Sequence, residues 1–141
     1  MNGRREGLDI LVSGWVEKAE HDYYAAKQLF ESIDVEVPFD VVCFHAQQCV
    51  EKYPKAVCIS LGTPAPRIHD LSELRLLLPA DLKNSIHADE LAELNPYAVD
   101  IRYPGVMETV TKEDTEKALS ISSRICSICM KFLSEKRTLP T

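Results

Sequence analysis

No apolar run in this chain approaches the roughly 20 residues that a membrane-spanning helix requires, so no membrane anchor is expected. Residues 1–12 contain Arg4 and Arg5 but lack a long apolar stretch and a small-residue cleavage site, so no secretory leader is read and a cytoplasmic location is expected. Basic residues are in deficit, 16 Lys and Arg against 22 Asp and Glu, giving a net charge of −6. That balance excludes a broad, nonspecific grip on a nucleic-acid backbone, which needs clustered cations, and leaves room for a small local site for a nucleotide or an RNA end. Cysteines number five, and an odd count inside helical segments is a poor disulfide framework, so they are expected to be reduced core residues. Cys126 and Cys129 share a helix face, but no second paired motif supplies further ligands, so neither a metal nor a cofactor is expected. Strand signals and internal repeats are missing too.

What is present reads as helix. With 141 residues, 45% of them hydrophobic, the chain is the size of one domain able to bury a single core. Trp15, Ala19, Tyr23, Ala26, Leu29, Phe30 and Ile33 recur at three- and four-residue steps and predict a first long helix. Leu8 to Val12 can extend it, against a cost of about 1 kcal/mol for Gly14. The segment from Asp34 to Pro38 ends it. A second helix is predicted from Phe39 or Asp40 to Leu61, with Val42, Ala46, Cys49, Val50, Tyr53, Val57 and Leu61 inward, Pro54 as a kink and Gly62 as the stop. Asp70, followed at three residues by Glu73, resembles a capping box for a short third helix carrying Leu71, Leu74, Leu77 and Leu78, which Pro79 ends. Residues 81–101 read as short helical pieces. Thr111 and Asp114 cap a last helix with Ala118, Ile121, Ile125, Ile128 and Phe132 as its main stripe and Ser122, Cys126, Cys129 and Leu133 as a second row. The fold class is therefore all-α, an up-down bundle of four to five helices spanning 1–141.

The most informative polar residues lie on the second helix. At about 100° per residue, His45, Gln48, Glu51, Lys52 and Lys55 fall within a third of its circumference, opposite the core stripe. A solvated face with one favourable Glu51–Lys55 pair is the plain reading. Phe44 beside it suggests a second buried surface, either a dimer contact or a stacking platform for a base. His21 and His87, among charged or polar neighbours, read as surface residues.

Four strings, in order, carry a resemblance to a known family. Phe44-His45-Ala46-Gln47-Gln48 with Glu51-Lys52 and Lys55-Ala56 resembles the FHAQQxxEKxxKA helix of HEPN domains, named for higher eukaryotes and prokaryotes nucleotide-binding. Trp15 with Lys18-Ala19 and Asp22 resembles the opening W-x-x-K-A-x-x-D pattern, His69-Asp70-Leu71 the HDL turn, and Tyr97 with Arg102-Tyr103-Pro104 the Y-x-x-x-x-RYP segment. Continued through the closing helix, the matched core is 15–136. The resemblance implies a helical bundle, commonly a homodimer, often encoded beside a minimal nucleotidyltransferase in toxin–antitoxin-like pairs. It makes His45, Gln48, Glu51, Lys52, Lys55, His69, Asp70, Tyr97, Arg102 and Tyr103 the candidates for nucleotide or RNA binding.

The family's ribonuclease branch places a histidine after an arginine with four to six residues between them, to polarise the phosphate and handle a proton. Here Met107, Glu108 and Thr109 stand at those distances from Arg102, and no other arginine has a histidine so spaced. No catalytic residue is assigned. The expected function is a nucleotide- or RNA-binding module acting with a nucleotidyltransferase. The alternatives are an RNA endonuclease toxin that draws its histidine from His45 or His69, and a non-catalytic helical scaffold working through the Phe44 face. Arg102 has two readings: convergence with His45, Lys52, His69 and Tyr103 in one groove, or a structural pair with Asp100 or Glu51.

Overall fold

A computed structural model of the chain describes residues 2–33, 36–98 and 109–138. Among these, the helices are α1 (Asn2–Phe30), α2 (Phe39–Ser60), α3 (Leu71–Leu76), α4 (Ala80–Ser85), α5 (Ala88–Leu94) and α6 (Lys112–Thr138), with a 3-10 turn at Asn95–Tyr97. The described residues contain no strand. Three long helices make the bundle, and the broken periodicity after Pro79 corresponds to α4, α5 and the 3-10 turn.

The buried α1 residues Val12, Ala19 and Ala26 recur every seven positions, the seam of a helix that packs along a partner. That partner is α2. Trp15 meets Lys55, Asp22 meets His45 and Lys52, and Phe30 meets Phe39, so position rises on one helix as it falls on the other and the pair is antiparallel. On the other side of α2, Cys43 bonds Thr115, the Ala46 carbonyl accepts from Ser122 and Cys49 meets Cys126, so α6 runs parallel to α2. The three short helices form the return leg between them, which keeps the up-down order.

Several helix ends have a local cause. Gly62 adopts φ +91°, the left-handed conformation that glycine takes without steric penalty, and ends α2. Its N–H bonds the Ile59 carbonyl at 2.9 Å and the Thr63 N–H bonds that of Cys58 at 3.1 Å, which satisfies carbonyls that would otherwise be orphaned. Asp70 caps α3 by accepting from the N–H groups of Ser72 at 2.8 Å and Glu73 at 3.2 Å. The reciprocal bond from Glu73 does not form; the Asn95 side chain donates to Asp70 instead. Thr111 and Asp114 make a full box at α6, each side chain accepting from the other's backbone N–H, at 3.1 and 3.0 Å.

Some stripe assignments shift. Leu61 is exposed because it is the C-cap of α2, and Leu77 is exposed because α3 ends one residue before it. Ile33 lies past the end of α1 and is 93% exposed. On α6 the first half of the expected main stripe, Ala118, Ile121 and Ile125, is buried, but Ile128 and Phe132 are only half-buried, whereas the whole second row of Ser122, Cys126, Cys129 and Leu133 is buried, with Ser122 and Cys126 meeting Ala46 and Cys49 of α2. Small side chains on both helices, Ala46 and Cys49 against Ser122 and Cys126, explain this, since they let the two backbones approach. α2 continues unbroken through Pro54, whose ring is itself buried.

Candidate functional site

The polar face of α2 is covered, not solvated. Glu51 and Lys55 are each only 5% exposed, and Gln47 is fully buried. The physical reason is that α2 is the central helix, with α1 lying along the side where a solvated face was the plain expectation. A charged face can be buried there only because every charge has a partner.

Two carboxylates organise it. Asp22, projecting from α1, accepts from His45 Nδ1 at 2.9 Å through one oxygen and from Lys52 Nζ through the other. These three side chains are 12–28% exposed, enclosed but reachable from solvent. Glu51 is the second centre: Lys55 Nζ lies 3.3 Å from its Oε2, His69 Nδ1 lies 3.2 Å from the same atom, and Gln47 donates to Oε1 at 3.5 Å. Gln48 joins by donating from its side-chain amide to Oε1 of Gln47 at 2.8 Å. The ammonium of Lys55 stands 5.6 Å from the centroid of the Trp15 ring, within cation–π range. His69, 75% exposed, links this buried group to solvent. Among the described residues, no buried side-chain nitrogen or oxygen is left without a partner.

Two facts decide the family. The helices carrying these groups form one bundle, and a family model described as the HEPN domain matches residues 12–133. The chain belongs to the HEPN family. As a HEPN chain it is a nucleotide- or RNA-related helical module. Its fold is similar to the crystal structure of TT1696 from Thermus thermophilus, with a TM-score of 0.70 and 23% identity over 85% of this chain and 96% of that one. No curated protein matches it.

Against this HEPN frame the candidates separate. His45, Gln48, Glu51, Lys52, Lys55 and His69 are all drawn into the α1–α2 network. Asp70 is engaged as the cap of α3. Tyr97 sits apart, half-buried against Cys43 and the start of α6, where burial pushes its hydroxyl up to about 12. Arg102 and Tyr103, with Asp100 and Pro104, lie outside the described residues, so their convergence with His45 and any pairing of Arg102 with Glu51 do too. Within the described chain, Glu51 is held by Lys55, His69 and Gln47.

Three residues of the network were missed as site candidates: Trp15, Asp22 and Gln47. The signal for two of them was available. Trp15 and Asp22 are seven apart, as are His45 and Lys52, and a seven-residue step returns to the same helix face.

Proposed function

We propose that this HEPN module binds a nucleotide or RNA through the half-exposed end of the α1–α2 polar network, with His45 and Lys52 as the phosphate-facing groups. The observation that supports this reading is Asp22, which fixes both side chains from a separate helix while leaving them accessible. A lysine and a histidine held in place lose little conformational freedom when an anion arrives. Gln48 and His69 extend the same surface. The module, residues 1–141 taken as one domain, works in the cytoplasm as a homodimer with a minimal nucleotidyltransferase as its partner in a toxin–antitoxin-like pair. The deficit of cations fits a short ligand better than a long duplex.

Fluorescence polarisation with a short single-stranded RNA, and calorimetry with nucleoside mono- and triphosphates, test the reading on the full chain. Lys52→Ala and His45→Ala are expected to weaken binding by about tenfold or more while the helical circular dichroism is kept. Wild-type protein that binds no nucleotide, no RNA and no nucleotidyltransferase overturns it.

One geometric feature favours RNA cleavage as a second reading. With Nδ1 turned to the Asp22 carboxylate, the neutral His45 ring carries its proton on Nδ1 and keeps Nε2 as an acceptor, the tautomer of a general base. Growth arrest on expression, relieved by His45→Ala in a folded protein, is the expected outcome. RNA left intact by the wild type removes this reading and leaves the binding reading standing.

A further inference from the structure

All five thiols of this chain are buried, and two of them are placed for a reaction as well as for packing. Cys49 of α2 and Cys126 of α6 meet sulfur to sulfur at 2.6 Å, across 77 positions of sequence. One turn earlier on both helices, the bond from Ser122 to the Ala46 carbonyl holds the two backbones close. A disulfide sets its sulfurs about 2.05 Å apart, so little movement separates this pair from a covalent link. A soft metal ion fits the pair less well, because metal–sulfur bonds of about 2.3 Å on either side of an ion would hold the two sulfurs much wider apart. Among the described residues, no group of three or more His, Cys, Asp and Glu side chains could hold a metal ion.

The surroundings distinguish the two sulfurs. Cys49 is fully buried, whereas Cys126 keeps 9% of its surface. Cys126 lies one turn before Met130, which with Val16, Glu20 and Leu133 lines a groove of about 260 Å³ between α1 and α6. Tyr53 connects the two places: burial first, and then the neighbouring Cys126, Cys49 and Glu20, push its hydroxyl up. A small neutral peroxide suits that approach better than a bulky charged disulfide. Burial, followed by the contact with Cys49, also pushes Cys126 strongly up, while Ser122 works in the opposite direction. Its thiolate is therefore scarce at neutral pH, so a first oxidation there is slow and quickens as pH rises. The step after it is fast, because the partner sulfur already stands where it must attack.

We propose that Cys49 and Cys126 form an oxidation site, at which a peroxide converts the two thiols to a disulfide that ties α6 to α2. The Cys126 sulfur attacks the peroxide O–O bond and becomes a sulfenic acid, and the thiol proton leaves with the departing oxygen as water. The Cys49 sulfur then attacks the sulfenic sulfur, forming the S–S bond and releasing a second water. In sum, two thiols lose two hydrogens and two electrons, and one hydrogen peroxide becomes two waters. Cys43, Cys58 and Cys129 keep their thiols. In reducing surroundings such a link is transient and sensing, not a permanent part of the fold. It closes a loop of 77 positions, which restricts the unfolded chain far more than the folded one. The link is independent of any ligand at the α1–α2 network.

Hydrogen peroxide in small molar excess over the reduced full chain, in mildly alkaline buffer, tests this by intact mass and by peptide mapping without reductant. The expected product is about 2 Da lighter than the starting protein, carries a Cys49–Cys126 peptide link and returns to the starting mass with dithiothreitol in denaturant. Its thermal midpoint should lie about 10 °C above that of the reduced chain. Cys129→Ala should form the link as the wild type does, whereas Cys126→Ala should form none and gain no heat stability from peroxide. The mapping on the wild type decides the matter even where a variant folds poorly. A wild type that keeps all five thiols free, links another pair or gains only irreversible oxygen additions overturns the proposal, as does a linked product no more heat-stable than the reduced chain.

Discussion

Lys55 shows what a single residue does in this fold. Its ammonium is buried between the Glu51 carboxylate and the Trp15 ring, so its removal leaves a buried carboxylate with one less cation. Lys55→Ala is expected to cost about 3–5 kcal/mol, and the paired change Lys55→Met with Glu51→Leu much less, because the second removes both charges together. Urea denaturation of the three proteins checks the order. The thiols make a second case. Burial pushes Cys43 up to about 11, although its bond to Thr115 works in the opposite direction, and pushes Cys129 up to about 12, from an ordinary 9.0. A raised folded-state value means that the unfolded chain releases protons first. The associated stability is therefore full below about pH 9 and is lost as pH rises toward 11 and 12. Stability measured from pH 8 to 11 should fall above 9, less steeply in Cys129→Ala.

At the scale of the element, α6 depends on its first turn. The Thr111–Asp114 box satisfies two orphan N–H groups, and Thr111→Ala is expected to lower stability by about 1 kcal/mol, readable in a urea titration. Hydrogen bonds from the Thr111 backbone and side chain hold the Asp114 carboxyl below its ordinary 3.8. A lowered value gives stability that is complete above 3.8 and lost as pH falls through the folded-state value, so Thr111→Ala should cost less in acid than at neutrality. This box is legible in the sequence because it is made by residues three apart. The Asp70 cap is legible for the same reason, but its second partner, Asn95, is 25 residues away and leaves no local trace.

For the whole molecule, the decisive feature is that α2 is central. Ser122 donates to the Ala46 carbonyl at 3.2 Å and is fully buried, so α6 sits close to α2. Ser122→Leu is expected to cost about 1–3 kcal/mol by overpacking, and more than the same change at the exposed Ser123, as thermal denaturation of both variants would show. The sequence placed the polar residues of α2 on one face correctly, since helical geometry alone fixes that. The matching seven-residue steps of Trp15–Asp22 and His45–Lys52 put a complementary face on α1, but they did not dictate that α1 would lie over these residues, because coverage depends on which helix docks where.

Local and periodic information determined a good deal here: an all-α chain, three long helices, the caps at Asp70 and Thr111, the stop at Gly62 and the ordered motifs of a HEPN domain. Each rests on contacts within a few residues or on a repeat near 3.6, which are readable along the chain. Tertiary structure alone decided that Asp22 holds His45 and Lys52, that Glu51 and Lys55 are buried, and that the Ser122–Cys126 row of α6 is buried along its whole length. Those outcomes join residues 23 to 77 positions apart, or depend on how closely two helix backbones approach. Such distances are set by packing the whole bundle, which local propensity does not encode.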